Sequence, residues 1–320
     1  MLVVGIGQCS WDCLAVADRY PPANSKCEVR HWQEQGGGPV ATALVALSRF
    51  GVPGRFLGVV GDDTEGEKIR SCLQREGIET VGLVTRKHAS SQKAFIAIEN
   101  TAGSRTIFWQ RPTGSPLLPE ELPRDFLDGC SFLHLDGLMK DVSLSAASQA
   151  RDKGIPVMLD AGSSRPGMEA LANSCDYLVA AERFALEMGW DGTMEGFQSF
   201  AARFSSAVVT VTLGERGSIT RHGRETFALP AFPAVTVDTT GAGDVFHGGY
   251  LFGLLQGLSL EDTIRFASAA AALKCGRIGG RAGIPDVASV LRFLDDKGVS
   301  LRAWPGVMQT PRDPSKARET

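Results

Sequence analysis

Short runs of β-branched and aliphatic residues alternate with longer segments whose apolar side chains recur at helical spacing. This alternation constrains the 320-residue chain more than any other feature. The strand-like runs cover 2–6, 55–60, 132–135, 157–160, 177–180 and 207–212, and the helical segments cover 40–50, 66–76, 143–153, 193–204, 245–256 and 260–275. A helix between two strands carries the chain across the sheet, so successive strands pair in parallel. The spacing therefore predicts an α/β fold with a mainly parallel sheet covered by helices. A core of this size needs neither a disulfide nor a metal to hold it together.

Two stretches break the rhythm. Residues 12–35 and 91–111 read as extended, alternating segments, and the second folds back around the turn-rich run Glu99-Asn-Thr-Ala-Gly-Ser104. They are expected to form a small β lid over the active face, or else an ordinary edge hairpin. From Gln309 the chain is polar and proline-containing, with nothing to bury. One domain over 1–302 and a mobile tail over 303–320 are expected.

Bulk properties mainly exclude. A formal net charge of −3 argues against a general nucleic-acid or membrane-surface binder. The seven cysteines are scattered and include no Cys-x-x-Cys pair, so a disulfide framework or zinc knuckle is not expected. No basic segment followed by a long apolar run opens the chain, and no apolar run approaches the roughly 20 residues that span a bilayer. A cytoplasmic protein with reduced thiols is the expectation.

The chemistry concentrates at 234–244. Residues 234–237 read as a strand, Asp238-Thr-Thr-Gly-Ala-Gly243 as a turn of small residues, and a helix follows from Asp244. Small residues at such a junction let backbone N–H groups point into one concavity. Together with the positive end of the helix dipole, they suit a phosphate that gains negative charge during transfer. A carboxylate at the same helix start can take the proton of an attacking hydroxyl. Spacing alone leaves Asp244 open between that role and an ordinary helix N-cap. Gly248, Gly249 and Gly253 lie inside the predicted helix, where glycine is costly unless close packing uses it.

The run Asp238-Thr-Thr-Gly-Ala-Gly-Asp244 with Phe246-His-Gly248 closely resembles the second motif of the ribokinase-like, or PfkB, carbohydrate kinases. Gly36-Gly-Gly-Pro-Val-Ala-Thr-Ala43, leading to Leu47-Ser-Arg-Phe-Gly51, resembles the first. Gly58-Val-Val-Gly-Asp-Asp-Thr-Glu-Gly66 and Thr212-Leu-Gly-Glu-Arg-Gly217 match in the expected order. The resemblance covers residues 2 to 294. It implies a ribokinase-like three-layer core with a small β lid, and an ATP-dependent kinase acting with Mg²⁺ on a hydroxyl of a small sugar-like molecule. Lids of this family often pair, which implies a homodimer.

Carried over residue by residue, the resemblance makes Asp244 the base and gives Gly241, Ala242 and Gly243 the anion hole. It places Asp12, Gly37, Gly38 and Thr42 against the acceptor, with Thr42 standing where many members have Asn. A carboxylate such as Asp12 accepts from two neighbouring hydroxyls and so suits a polyol. Thr212, Gly214 and Gly217 match the turn lining the ATP site, and Lys274 and Gly276 fall in the 272–283 region that closes over the adenine. Backbone carbonyls around Asp238, Thr240, Arg277 and Gly279 match the places that hold a monovalent cation, K⁺, in relatives. One departure stands out. The Asn-x-x-Glu expected after a central strand is replaced by Ala181-Glu-Arg-Phe184, where Glu182 is the nearest acid.

Several motifs look especially similar to the bacterial sulfofructose-kinase branch, but they belong to the catalytic and nucleotide side. The lid-side runs Phe108-Trp-Gln-Arg-Pro112 and Asp136-Gly-Leu-Met-Lys140 lack the Asn and Arg expected to hold a sulfonate. A general sugar or sugar-derivative kinase is therefore preferred. Arg105 and Arg111, and beside them Lys93 and Lys140, read either as contacts to an anionic acceptor group or as solvated charges. Trp109 reads as a stacking face or as lid packing. A nucleoside kinase and a catalytically weak sugar- or nucleotide-binding regulator remain as alternatives. A nicotinamide dehydrogenase ranks low, because the glycine fingerprint begun at Gly5-Ile-Gly7 fails at Ser10.

Overall fold

The computed structural model describes residues 1–99 and 104–301. The tail expected at 303–320 and most of the turn expected at 99–104 lie outside the described residues. In chain order the strands are β1 (Leu2–Ile6), β2 (Ser10–Ala17), β3 (His31–Gly37), β4 (Gly54–Gly61), β5 (Leu83–Arg86), β6 (Lys93–Glu99) and β7 (Ser104–Gln110). They continue as β8 (Cys130–Leu135), β9 (Val157–Ala161), β10 (Tyr177–Ala181), β11 (Val208–Thr212), β12 (Ser218–His222) and β13 (Glu225–Leu229). The helices are α1 (Pro39–Arg49), α2 (Thr64–Arg75), α3 (Lys140–Asp152), α4 (Met168–Ala172) and α5 (Glu182–Glu187). After them come α6 (Met194–Ala201), α7 (Ala242–Leu255), α8 (Leu260–Lys274) and α9 (Val287–Asp296).

Among the described residues the main sheet has nine strands in the order β13-β12-β11-β10-β9-β8-β1-β4-β5. All its pairings are parallel except β11–β12 and β12–β13. Both faces are buried, and side chains alternate between them as the two-residue strand period requires. Val3, Phe56, Met158 and Val179 join one core with α1, α2, α7, α8 and α9. Their neighbours Val4, Leu57, Leu159 and Leu178 join the other, with α3, α4, α5 and α6. The expected three-layer architecture follows from that alternation.

The two segments expected to form a lid do so. Strands β3, β2, β6 and β7 make a separate four-stranded sheet. Its outer pairs are antiparallel and its central β2–β6 pair is parallel. Leu14, Val16, Ile96 and Ile98 are buried on one face with Ile278 packed beside them. Trp32, Phe95 and Phe108 lie on the other face, exposed. No helix among the described residues is long and apolar enough to cross a membrane.

Helices α1, α7 and α8 pack unusually closely. A Cβ at Gly248 would meet the Ala43 carbonyl at 2.8 Å, and one at Gly249 would meet Ala267 Cα at 2.8 Å. The costly interior glycines of α7 are thus explained by close helix approach. Two expectations are corrected. Residues 234–237 form no strand. They run as irregular chain, and the Val237 and Asp238 amides donate to Cys275 O at 2.8 and 3.1 Å instead of entering a ladder. Helix α7 begins at Ala242, so its N-cap is Gly241 and Asp244 is not the cap. Strand β2 starts two residues before the expected segment 12–35 and β3 ends two residues after it, and the β12–β13 hairpin was not expected.

Phe50, Phe252 and Phe266 close the junction of these helices, with ring centroids 4.8 to 5.4 Å apart. Truncating a fully packed aromatic ring costs about 3–5 kcal/mol. Phe252→Ala should lower the unfolding free energy by about that amount in urea titration, whereas Val81→Ala on the surface should change it by less than about 0.5 kcal/mol. Equal effects from the two would contradict this packing account.

Candidate active site

The cleft lies at the carboxyl ends of β1, β8 and β9, where open parallel sheets receive their ligands. The starts of α1 and α7 point into it. A hollow of about 370 Å³ at the opposite ends of β9, β10 and β11, lined by Arg151, Asp176 and Ser205, is remote from this chemistry.

At the start of α7, Gly241 has φ 75°, the left-handed region that favours glycine, and its Cα lies against Gly280. The Ala242 amide donates to Thr239 O at 3.2 Å and the Val245 amide to Gly241 O at 3.0 Å. Ala242 is thereby engaged within the turn. The amides of Gly241, Gly243 and Asp244 have no acceptor among the described residues, and Gly243 faces open space. These donors at a helix N-terminus are what an incoming anion needs.

Asp244 sits in the first turn of α7, and no group among the described residues donates to its carboxylate. Part of the residue still meets solvent, yet protein atoms crowd around the carboxyl and burial pushes its pKa up to about 7. Asp160 and Asp12 push the same way, while His247 and Arg281 oppose them. His247 anchors this turn to the sheet. Its Nδ1 lies 2.7 Å from Gly243 O and 3.5 Å from Asp160 Oδ2, and its Nε2 lies 3.1 Å from Val179 O.

Asp12 is buried on β2 and takes a hydrogen bond from Ser10 Oγ at 2.7 Å. Burial raises its pKa, with Ser10 and Arg281 acting against that. A Cβ on Gly37 would fall 2.1 Å from Asp12 Oδ2, so the glycine is what lets the carboxylate lie there. Gly38 is the N-cap of α1, with φ 99°. Thr42 does not open towards the cleft alone. Its Oγ1 accepts from Arg281 Nε at 3.3 Å, and Arg281 Nη2 donates to Gly37 O at 3.0 Å. Arg281 thus ties the first motif to the C-terminal loop.

Asp136 and Asp160 line an adjoining pocket of about 100 Å³ with Pro39 and Arg165. Asp136 accepts from the Gln8 and Leu138 amides at 2.7 and 3.0 Å. Burial pushes its pKa up to about 7, and burial also raises that of Asp160. Arg111 lines a further hollow of about 170 Å³ with Gly7, Gln8 and Leu138, and stacks over Trp109 at 5.0 Å. Arg105 reaches from β7 to Thr239 Oγ1, so it meets the loop before α7 and not the hollow that Arg111 lines.

Thr212 ends β11, and the turn from Gly214 to Gly217 is closed by Leu213 N donating to Gly217 O at 2.7 Å. Glu182 pairs with Arg216 of that turn. Gly276 is exposed, but Lys274 is wholly buried and donates to Asp238 O at 2.7 Å. Asp238 Oδ1 accepts from Thr240 N and Oγ1 at 2.8 and 2.7 Å, and Oδ2 accepts from Gly279 N at 2.8 Å. Arg277 is exposed.

Four residues of the cleft escaped the sequence reading. Asp136 and Asp160 each stand at the carboxyl end of a predicted strand, a position that the sheet rule marks for ligands. His247 stood in the quoted motif without a role. Arg281 had no local signal, because its partner Thr42 is 239 positions away.

An open parallel sheet with a β lid, a carboxylate and unpaired amides at one helix start together define a phosphoryl-transfer class of site. The comparisons agree. The model of the pfkB family carbohydrate kinases matches residues 1–287. The ATP-dependent ribose-1-phosphate kinase of Halopiger xanaduensis is 26% identical over 298 residues, covering 92% of this chain and 98% of that protein. The nucleoside kinase of Methanothermobacter thermautotrophicus is 25% identical, covering 92% and 96%. A crystal structure of a putative ribokinase from Agrobacterium tumefaciens superposes with a TM-score of 0.84 at 25% identity, covering 92% and 98%. The chain belongs to the pfkB family of carbohydrate kinases. It is an ATP-dependent kinase of the ribokinase-like fold.

A carboxyl that holds its proton more tightly when folded than when unfolded loses stability for the fold as it ionises. From the ordinary carboxylate range up to about pH 7, Asp244 therefore makes the fold less stable as pH rises. Asp244→Asn removes that contribution. Its unfolding temperature relative to wild type should be higher near pH 8 than near pH 4, and a pH-independent difference would contradict the buried setting of Asp244.

Proposed function

We propose that the protein transfers the γ-phosphoryl group of ATP to a hydroxyl of a sugar or sugar derivative, with Asp244 as base and the free amides of Gly241 and Gly243 in the anion hole; the Ala242 amide, expected beside them, is engaged by Thr239 O instead. The observation that carries this reading is the start of α7. Asp244 is released from capping by Gly241 and stands beside unpaired amides. Its raised pKa lies near neutrality, where a general base works with the best balance of ionisation and basicity. Asp12, Asp136 and Asp160 offer carboxylate acceptors that suit a polyhydroxylated molecule, and Gly37 and Gly38 let backbone approach it. Thr212, Gly214, Gly217 and Gly276 are assigned to ATP.

Mg²⁺ carried with the ATP phosphates supplies charge neutralisation. Glu182, the acid nearest the missing Asn-x-x-Glu, is held by Arg216, which places it beside the nucleotide turn. The proposed compartment is the cytoplasm, in keeping with seven free thiols. A homodimer through the lid is supported by its outer face. There Trp32, Phe95 and Phe108 form an exposed aromatic row with centroids 5.9 and 6.3 Å apart.

The deciding experiment is an ATP-consumption screen across sugars, sugar acids, sulfo-sugars and nucleosides. Phosphorylation of a sugar is expected. Nucleosides outperforming every sugar would favour the second reading, to which the nucleoside kinase among the relatives lends support. Absence of turnover with any acceptor would favour a binding regulator. With the acceptor found, Asp244→Asn should keep ATP binding and lose about 10²–10⁴-fold in kcat. Asp12→Ala should raise the acceptor KM at least about tenfold and leave the ATP KM nearly unchanged. Light scattering should report a dimer that Phe95→Glu dissociates, and a monomeric wild type would contradict the lid pairing.

A further inference from the structure

The family resemblance assigns a monovalent cation to backbone oxygens around Asp238, Thr240, Arg277 and Gly279. The oxygens of Asp238 do not fit that assignment here. The carbonyl oxygen already receives the Lys274 ammonium at 2.7 Å. Both carboxylate oxygens receive donors of the protein itself, Oδ1 from Thr240 and Oδ2 from the Gly279 amide. A cation arriving at these atoms would meet N–H and O–H hydrogens and a fixed positive charge. Among the described residues no group of three or more His, Cys, Asp or Glu side chains converges to hold a metal.

Lys274 is the last residue of α8 and is 0% exposed, one of the largest fully buried side chains among the described residues. An ammonium taken out of water is costly unless paired, so its place between loops calls for a reason. The surroundings supply one. Burial lowers its pKa, and Arg105 acts the same way, while Asp238 and Asp244 oppose them in favour of the charged form. The loop after α8 folds over it so tightly that a Cβ at Gly283 would lie 2.3 Å from Lys274 O. The carbonyl it grips belongs to the residue that opens the 238–243 turn, and this turn presents the unpaired amides to the phosphate.

We propose that Lys274 provides from within the chain the positive charge that the family resemblance assigns to a bound monovalent cation, so that this kinase works without K⁺. Lys274 acts as a positioning residue. It touches neither substrate nor reacting atoms, but holds the Asp238 carbonyl and through it the shape of the anion hole. This inference rests on the kinase reading for its catalytic consequence. Its binding consequence stands apart from that reading.

The test compares potassium chloride with tetramethylammonium chloride at equal ionic strength, using the full chain. An ion that binds the folded state raises its unfolding temperature by mass action. The wild type should unfold at the same temperature in both salts, and a rise specific to K⁺ would overturn the proposal. With the acceptor identified by the screen, wild-type turnover should differ by less than about twofold between the salts, and K⁺ activation of about tenfold or more would overturn it. Lys274→Met keeps the length of the side chain and removes its charge. It should lose turnover in tetramethylammonium and recover with K⁺, whereas full turnover of the folded variant in tetramethylammonium would contradict the role. Should no acceptor be phosphorylated in either salt, the kinase reading fails, and the unfolding comparison still decides the cation question.

Discussion

The site hangs on Asp238. One carboxylate oxygen closes the turn through Thr240, the other holds the Gly279 amide, and the backbone carbonyl takes the buried Lys274 ammonium. Two loops more than thirty residues apart, around Asp238 and Gly279, are locked together by a single residue. Only then does Gly241 meet Gly280 backbone to backbone and enter α7 in the left-handed conformation. That geometry leaves the Gly241, Gly243 and Asp244 amides without an acceptor among the described residues and sets Asp244 in the first turn of the helix. Charge-assisted hydrogen bonds of this kind are shorter and stronger than neutral ones, and buried polar groups that are fully satisfied rigidify their surroundings.

From this clamp the rest of the cleft follows by packing. Helix α7 is held against α1 and α8 through its glycines, so the start of α1 lies close to the start of α7. Arg281, leaving the loop that Asp238 fixes, reaches Gly37 and Thr42 at the other motif. The starts of α7 and α1 are therefore parts of one connected structure. His247 joins it to the sheet through the Val179 carbonyl and lies beside Asp160. Several carboxyls share a space where burial disfavours their ionisation, and their pKa values rise accordingly.

Much of this was legible in the sequence, for identifiable reasons. Strands such as 2–6 and 177–180 are buried on both faces, so they appear as continuous apolar runs between helical segments. The lid showed itself by alternation without helices. The Asp238–Asp244 run is local, and local chemistry is written locally. What was not legible depends on distance or on context. The 234–237 segment has strand composition, but its amides are taken by Cys275 and no neighbouring strand is offered. Asp244 has the composition of a cap, and only the observed helix start at Gly241 frees it. Thr42 seemed to face the acceptor until Arg281 came to meet it from the far end of the chain. Lys274 seemed to belong to the nucleotide region by position, whereas its burial and its bond to Asp238 are tertiary facts.

The most direct measurement is a crystal structure of the protein with a non-hydrolysable ATP analogue and the phosphorylated acceptor's precursor bound together. The account predicts terminal phosphate oxygens accepting from the free amides at the start of α7. It also predicts one acceptor hydroxyl within about 2.6–3.2 Å of the Asp244 carboxylate and in line with the terminal phosphorus. A terminal phosphate bound away from 241–244, or a reacting hydroxyl held by another residue, would contradict it.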